Sequence, residues 1–290
     1  MNAFPAAVAA GAALGAYSFV EPYLFRLRRV VVPLRPAAPP FDVLHVSDMH
    51  MRSRRSRLQK FLEDLPDKLT SPPDFVLATG DLIDDDAGIN PAVDALAGLP
   101  ARFGKYYVLG SHDYYQSEFQ AYSKYWTGQR PVKAPPADTT KLRSGLEETG
   151  WKPLINDTEL VETPRGRVRL TGLDDPYLKR HTTGHIERAG EDDLAIGLQH
   201  SPDVVSEFVL SGFDLILAGH THAGQVRPPF VGTIVTNCSL PRQIAGGFSK
   251  VGNSWLHVSP GLGSGRFAPI RFNCRPEATL LMLRPSRDLR

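Results

Sequence analysis

Short, continuous apolar runs recur along the chain after residue 40, and amphipathic or polar stretches separate them. The first three such runs are residues 43–46, 75–78 and 106–109. Continuous apolar runs of this length are typical of strands that are buried on both faces of a sheet. Residues 56–65 have a helical pattern that stops at Pro66, and Asn90-Pro91 is typical of a helix start. This alternation of strands and helices predicts an α/β domain.

The second half of the domain continues this pattern and then changes. Further buried strands are expected at residues 168–173, 194–198 and 213–217. After Gly224 the chain turns to short β segments with glycine and proline between them, at residues 232–236, 255–258 and 278–283. This change predicts a second sheet that packs on the first. Residues 116–140 are polar and proline-rich towards their end, and they are interpreted as a long loop.

The N-terminus differs from the rest of the chain. Residues 3–20 carry no charge, and three arginines follow at positions 26, 28 and 29. The run fits a short membrane span, a helix that lies on the membrane surface, or a soluble helix packed on the domain. The basic flank would hold the main domain on the cytoplasmic face. We therefore expect a membrane-proximal segment and linker over residues 1–36, and one domain over residues 37–290.

Composition excludes few classes of protein. The 290-residue chain has a formal charge of only +2, so nucleic acid is not an expected partner. Its two cysteines, Cys238 and Cys274, form no metal-binding motif and no disulfide framework.

Candidate chemistry lies directly after five of the predicted strands. The sequence there reads D-x-H, G-D, G-x-H-D, H and G-H-x-H, and these motifs contain the residues Asp48, His50, Asp81, Ser111, His112, Asp113, His200, His220 and His222. Taken singly, D-x-H and G-D are ordinary turn chemistry and His200 is typical of a structural histidine, whereas the G-H-x-H pair is suited to metal ligation. Because ligands bind at the carboxyl ends of the strands in open α/β sheets, we expect these side chains to converge on one site.

The five motifs in this order resemble the calcineurin-like metallophosphoesterase superfamily, from Asp42 to about Leu283. Residues 218–226 and the hydrophobic N-terminus look like the membrane-associated bacterial branch of YkuE- and YaeI-like phosphohydrolases. The resemblance implies a four-layer α-β-β-α sandwich of two mixed sheets flanked by helices, with a short N-terminal hydrophobic helix. It also implies a metal-dependent phosphohydrolase with two divalent metal ions.

The resemblance assigns a role to each motif residue. Asp81 would bridge the two metals, which would clamp the phosphate and activate water. The other protein ligands would be Asp48, His50 and His222 on the first metal and His200 and His220 on the second. His112 would act on the leaving group, and Asp113 would orient it. Mixed oxygen and imidazole ligands suit manganese first, with iron, zinc or cobalt as alternatives.

One position departs from the family pattern, because Ser111 stands where an asparagine ligand is usual. A hydroxyl is shorter and a poorer ligand, so the second metal would bind weakly or His112 would move into ligation. This departure also leaves an alternative open, a catalytically weakened binding protein of the same fold. The leading expectation is hydrolysis of a phosphodiester or pyrophosphate, with lipid-linked and nucleotide-linked esters as candidate substrates.

Several weaker features lie close to the motifs. Arg52 and Arg55 follow the first motif and are candidates for binding the substrate phosphate, or for the exposed turn of a helix. The acidic run 84–86 is interpreted as a solvated loop, and Asp174-Asp175 either lines the site or forms a plain turn. The glycine-rich residues 261–265 are expected near the mouth of the site.

Overall fold

Two six-stranded sheets form the centre of the molecule in the computed structural model, which describes residues 13–53, 57–118, 134–188, 190 and 193–286. In chain order the strands are β1 (Arg26–Leu34), β2 (Phe41–Val46), β3 (Phe75–Thr79), β4 (Gly104–Val108), β5 (Trp151–Pro153), β6 (Asp157–Thr163), β7 (Gly166–Gly172), β8 (Leu194–Leu198), β9 (Leu215–Ala218), β10 (Gly247–Val251), β11 (Ser254–Val258) and β12 (Glu277–Pro285). The helices are α1 (Arg57–Glu63), α2 (Ile89–Ala97), α3 (Ser111–Tyr114), α4 (Thr139–Glu148) and α5 (Val205–Leu210), and residues 13–20 are also helical.

Both sheets are mixed. The first has the order β1-β12-β2-β3-β4-β5 and the second β10-β11-β9-β8-β7-β6. Strands β2 to β5 run parallel to one another, as do β7, β8, β9 and β11. Strands β12, β10 and β6 add the antiparallel pairs. The predicted sandwich of two mixed sheets with flanking helices is confirmed.

Three apolar clusters separate the four layers. The middle cluster joins the facing surfaces of the two sheets, with Phe41 and Phe75 from one sheet and Ile196 and Leu217 from the other. The second cluster packs α1, α2 and α4 on the outer face of the first sheet. The third packs Phe208 of α5 on the second sheet. Because strands in the middle are covered on both faces, their sequences are continuous apolar runs.

The first sheet begins earlier than the sequence pattern indicated. Strand β1 lies within residues 1–36, which were expected to precede the domain, and it pairs in parallel with β12. Its side chains alternate, so that Val32 and Leu34 are buried while Arg26 and Arg28 are exposed. The prediction weighted the arginines and the prolines and missed this alternation. No helix among the described residues is long and apolar enough to cross a membrane.

The other differences lie at separate points along the chain. Residues 278–283 belong to β12 and complete the first sheet, not the second. Residues 232–236 have an irregular backbone with a bend at Ile234 instead of the expected strand. The expected loop over residues 116–140 ends at α4, whose N-cap Asp138 accepts a hydrogen bond from the backbone N–H of Lys141; its residues 119–133 lie outside the described part. Helix α2 begins one residue before Asn90, and Gly88 is its N-cap.

Candidate metal centre

The motif residues lie just beyond the carboxyl ends of β2, β3, β4, β8 and β9, and six of the nine come together. Three groups of side chains bring their ligand atoms within 4.8 Å of one another: Asp48 with His50 and His222, His50 with Asp81 and His112, and Asp48 with Asp81 and His200. Apart from His112 and His222, which are part-buried, these residues are buried. Each group shares a member with another, so the three groups form one site between the two sheets.

Two residues, Asp81 and His222, have ligand atoms that lie especially close to those of their neighbours. The Oδ2 atom of Asp81 lies 3.2 Å from His200 Nε2 and 3.8 Å from His50 Nε2. The Nε2 atom of His222 lies 3.1 Å from His50 Nε2 and 3.6 Å from Asp48 Oδ1. Two imidazole nitrogens and a carboxylate at these separations are suited to a shared cation.

The backbone turns sharply at these positions. Five predicted ligands have φ in the left-handed region, between 45° and 67°: Asp48, His50, Asp81, His220 and His222. This conformation is uncommon for residues other than glycine and is enriched at functional sites. It follows directly on the strand ends and turns consecutive side chains towards the site.

Two glycines make room for the carboxylates. A Cβ atom at Gly110 would lie 2.3 Å from Asp81 Oδ1, and one at Gly219 would lie 2.3 Å from Asp48 Oδ2. The backbone also binds both carboxylates directly, because the N–H of His112 donates to Asp81 Oδ1 and the N–H of His220 donates to Asp48 Oδ1. Each strand end therefore positions a ligand that belongs to another strand.

His200 has one nitrogen available for a metal. Its Nδ1 lies 2.7 Å from the carbonyl oxygen of Thr79, which can only accept, so Nδ1 carries the proton. Its Nε2 is buried and makes no hydrogen bond among the described residues, although it faces Asp81. A neutral imidazole whose second nitrogen is fixed by a carbonyl is the usual form of a histidine ligand.

The charges of the site favour a bound cation. Burial alone would raise the pKa of Asp81, but the neighbouring His200 and His112 hold it well below its usual value. Burial lowers the pKa of His200, yet the Asp81 carboxylate raises it well above the ordinary range. Burial, with His50 and Arg271, holds the pKa of His222 well below its usual value. A proton and a metal ion therefore compete for the same buried negative charge.

His112 and Asp113 are arranged differently from the expectation. The Asp113 carboxylate accepts hydrogen bonds from the backbone N–H groups of Gly110, Leu82 and Ile83, and not from His112. The Nδ1 atom of His112 lies 2.9 Å from Ser117 Oγ. The expected orientation of His112 by Asp113 is therefore wrong, because the Asp113 carboxylate binds backbone groups instead.

Asp84 contradicts the interpretation of residues 84–86 as a solvated loop. It is fully buried, and its carboxylate accepts from Ser117 Oγ at 2.5 Å and from Arg52 Nε at 2.8 Å. Its Oδ1 also lies 3.4 Å from His50 Nδ1. Asp84 thus connects a predicted metal ligand with Ser117, the partner of His112. Burial raises the pKa of Asp84, whereas His50, Ser117 and Arg52 lower it. The net result is a pKa below the usual value of an aspartate.

Four other predicted site residues are not members of the three ligand groups. His220 lies outside the three groups: its ring is 5.2 Å from that of His200, and its Nε2 is 3.1 Å from the carbonyl oxygen of Asn237. Its role as a ligand stays a prediction, as does that of Ser111, which begins α3 beside the site. Arg52 binds Asp84 and the carbonyl oxygen of Ser264. The predicted substrate-binding residue at position 55, Arg55, lies outside the described residues.

Arg271 is a residue of the site that the sequence did not indicate. Its guanidinium is fully buried, lies 3.2 Å from His222 Nδ1 and donates to the carbonyl oxygen of Gly263 at 2.6 Å. A Cβ atom at Gly261 would lie 2.7 Å from Asp48 Cβ. The glycine-rich segment therefore packs against the site, as expected.

Asp175 also lies close to the centre. It is fully buried, its Oδ2 has no hydrogen-bond partner among the described residues, and it interacts electrostatically with His200 and Asp81. Burial, with repulsion from Asp81, raises the pKa of Asp175 to about 6. Asp175 is thus electrostatically coupled to the site, and the interpretation that it lines the site stays a prediction.

Comparison with known proteins identifies the class. The family described as calcineurin-like phosphoesterase matches residues 41–224, and this protein belongs to that family. It is therefore a metallophosphoesterase, an enzyme that hydrolyses phosphoric ester bonds and belongs to a family that uses divalent metals.

The relatives found by sequence, YaeI and YkuE, agree with this class. The chain is 27% identical to phosphodiesterase YaeI of Escherichia coli K12, over 98% of this chain and 97% of that protein. It is 26% identical to the uncharacterized metallophosphoesterase YkuE of Bacillus subtilis 168, over 96% and 92%. A solved archaeal phosphodiesterase matches with a TM-score of 0.40 and 13% identity, over 76% of this chain and 84% of that one. The expected superfamily and the similarity to YaeI and YkuE are confirmed.

Proposed function

We propose that this enzyme holds two divalent metal ions and hydrolyses a phosphodiester or pyrophosphate bond. The observation that carries the proposal is the position of the Asp81 carboxylate between His200 and His50, at 3.2 Å and 3.8 Å. Asp81 belongs to two of the three ligand groups. A carboxylate shared in this way is suited to bridge two ions.

The donor set fits such a pair of ions. All donors in the three groups are carboxylate oxygens or imidazole nitrogens. Neither cysteine belongs to these groups, so the site has the mixed oxygen and nitrogen character that suits manganese, iron, cobalt or zinc. Of these four metals, we propose manganese as the ion that the site binds in the enzyme. Bound ions of this kind neutralise phosphoryl oxygens and lower the pKa of water.

His112 faces the site with a defined nitrogen. Ser117 Oγ donates to Asp84, so the same oxygen accepts from the Nδ1–H of His112. Burial lowers the pKa of His112, and His50 and His200 lower it further. Its Nε2 therefore carries a lone pair that either binds a metal or takes up a proton and passes it to the leaving group.

The candidate substrates are esters linked to a lipid or to a nucleotide. The similarity to a protein named phosphodiesterase supports the diester class. We further propose that the enzyme acts at the cytoplasmic face of a membrane, because a short hydrophobic N-terminus precedes the arginines of β1.

The test uses the full chain after removal of metal with a chelator. Hydrolysis of a bis-aryl phosphodiester is measured with manganese, iron, cobalt or zinc added back, and bound metal is counted by elemental analysis. The variants are Asp81→Asn and His220→Ala. Asp67→Asn is the matched control, because Asp67 is an exposed aspartate in a short 3-10 helix and belongs to none of the three ligand groups.

We expect metal-dependent hydrolysis with two bound ions per chain. Asp81→Asn should remove at least one ion and most of the activity, and Asp67→Asn should retain both. A folded protein that binds metal but cleaves no ester would favour the alternative of a binding protein, for which Ser111 is the one supporting feature. A single bound ion at full activity would contradict the dinuclear centre.

A further inference from the structure

A cavity whose wall contains none of the predicted metal ligands lies between the N-terminal helical residues, strand β1 and the loop at residues 272–275. Its volume is about 470 Å³, within the range of pockets that bind small molecules. Its wall includes four arginines, which we call the arginine pocket: Arg26, Arg28, Arg227 and Arg275. They come from β1 and from two loops that are distant in sequence.

The arginine pocket carries excess positive charge. Two glutamates are its only acidic lining residues in the described part of the chain, and both are buried with partners of their own. Glu277 binds Arg26 at 2.6 Å, and Glu21 accepts from the backbone N–H groups of residues 273 and 274. Within the described residues, neither Arg227 nor Arg275 forms an ion pair. Arg275 Nε donates to the carbonyl oxygen of Leu24, so its two terminal nitrogens and the guanidinium of Arg227 are available to an anion.

The N-terminal helical residues are fixed against this pocket. The Tyr17 ring packs edge-on against Phe272 at 6.4 Å between centroids, and the carbonyl oxygen of Ser18 accepts from the backbone N–H of Arg271. Glu21 adds the two hydrogen bonds to the loop at 273–274. The helix consequently has one defined orientation on the domain.

Exposed apolar side chains flank the arginine pocket, and we call them the apolar rim. On one side Leu14 and Tyr17 line the pocket and are 53% and 41% exposed. On the other side Pro229 lines it, and Phe230 and Val231 follow, with Phe230 completely exposed. Exposed apolar clusters of this kind mark interaction surfaces.

We propose that the arginine pocket and the apolar rim dock the enzyme on an anionic phospholipid bilayer. The arginines would bind lipid phosphates, while the apolar rim would enter the region between the headgroups and the acyl chains. Unbalanced arginines beside exposed aromatic and aliphatic side chains match the two layers of a bilayer surface, which are anionic outside and apolar inside. A soluble anion would account for the arginines but not for Phe230.

The docking surface is connected to the metal centre through the backbone. Ala223 lines the arginine pocket, and the preceding residue, His222, is a predicted ligand. Cys274, also in the wall, donates through Sγ to the carbonyl oxygen of His222. The bilayer would thus lie beside the loop that carries the G-H-x-H motif. The inference rests on the proposed action at a membrane and assigns the surface that contacts it, but it does not depend on the metal count or on the substrate.

The experiment measures binding of the full chain to lipid vesicles by co-sedimentation. Vesicles of phosphatidylcholine alone are compared with vesicles that also contain phosphatidylglycerol, at low and at high salt. The variants are Arg227→Gln with Arg275→Gln, and Phe230→Ser. The matched controls are Arg143→Gln on α4 and Leu210→Ser on α5, which replace an exposed arginine and an exposed leucine elsewhere.

We expect binding only to the anionic vesicles, and weaker binding at high salt. Removal of each arginine should weaken vesicle binding about fivefold, so the double variant should bind about 25-fold more weakly. Phe230→Ser should weaken it about tenfold. Both controls should bind like the parent protein, and all variants should hydrolyse a soluble diester at the parent rate.

Several outcomes would overturn the proposal. These are equal binding to neutral vesicles, equal binding by the arginine variants and their controls, or no vesicle binding at all. Calorimetric titration with inorganic phosphate tests whether the arginine pocket binds a soluble anion instead of a lipid phosphate. Phosphate binding that depends on Arg227 and Arg275, without vesicle binding, would identify a soluble-anion site instead.

Discussion

The Nδ1 atoms of His45 and His257 lie 2.8 Å apart in the buried region between the two sheets. This contact begins a chain of hydrogen bonds that ends on a predicted metal ligand. His45 Nε2 lies 2.8 Å from Thr79 Oγ1, which donates to Ser47 Oγ, and Ser47 donates to Asp48 Oδ2 at 2.5 Å.

The direction of this chain fixes both histidine tautomers. Because the Thr79 hydroxyl donates to Ser47, it accepts from the Nε2–H of His45. His45 Nδ1 is then unprotonated and accepts from the Nδ1–H of His257. Every proton in the chain points towards the Asp48 carboxylate, whose orientation is thereby set from within the core.

Removal of the last donor in this chain should weaken metal binding. For Ser47→Ala we expect the manganese affinity to fall 10- to 100-fold, about the effect of losing a hydrogen bond to a metal ligand. Titration calorimetry with manganese measures the change. Ser144→Ala, an exposed serine on α4, is the control. An unchanged affinity in Ser47→Ala would show that the chain has only a structural role.

The same histidine pair should make the fold sensitive to acid. Burial, with a contribution from Arg28, lowers the pKa of His257 to about 3, while the unfolded chain titrates near 6.5. Between these values the unfolded state binds more protons than the folded state. The contribution of His257 to stability is therefore fully present above about pH 6.5 and decreases as the pH falls towards 3. Within this range, His257 alone should lower the free energy of unfolding by about 1.4 kcal/mol for each unit that the pH falls.

His257→Gln tests this dependence, because glutamine keeps a donor but does not titrate. Denaturant unfolding is measured from pH 7.5 down to pH 5, with a chelator present for both proteins. The slope of stability against pH should be smaller in the variant by about one proton. Parallel curves for the two proteins would assign the acid sensitivity to other groups.

The serine that departs from the family pattern gives a prediction of opposite sign. Ser111→Asn should strengthen binding of the second metal and raise turnover, because an amide oxygen reaches further and is a better ligand than a hydroxyl. Metal titration followed by elemental analysis measures the affinity. Ser111→Ala shows whether the hydroxyl itself contributes. If all three proteins bind metal equally, position 111 is not a ligand position.

Asp84 should act through the histidines that it positions. In Asp84→Asn, both His50 Nδ1 and Ser117 Oγ lose their contact with a buried carboxylate. Because His50 and His112 are then held less firmly, we expect kcat to fall 10- to 100-fold with little change in KM. Steady-state kinetics with a soluble diester separates the two constants. Asp86→Asn changes a neighbour in the same acidic run and should retain parent kinetics. A loss of stability without a kinetic defect would contradict the positioning role.

The sequence predicted most of the central strands because a strand covered on both faces must be apolar throughout. It also predicted the convergence of Asp48, Asp81 and His200, because each follows a parallel strand and such strand ends share an edge. Helix α4 was missed within a polar stretch, although the Asp138 cap and the Arg143–Glu147 spacing were readable signals.

Other features depend on contacts between distant parts of the chain. The burial of Asp84 and Arg271 follows from partners that lie 32 and 49 residues away, Arg52 and His222. Local sequence indicates a charged residue at each position and therefore favours exposure. The left-handed conformation of the ligands is likewise hidden, since aspartate and histidine adopt it only where surrounding structure imposes it.

Strand β12 has a consequence for the order of events during synthesis. It lies between β1 and β2 and pairs with both, although it is the last strand to be made. A nascent chain that already has all five motifs still lacks the strand that joins β1 to its sheet. The metal ligands can therefore be present on the ribosome well before the first sheet is complete, and late arrest of translation should leave β1 without a partner.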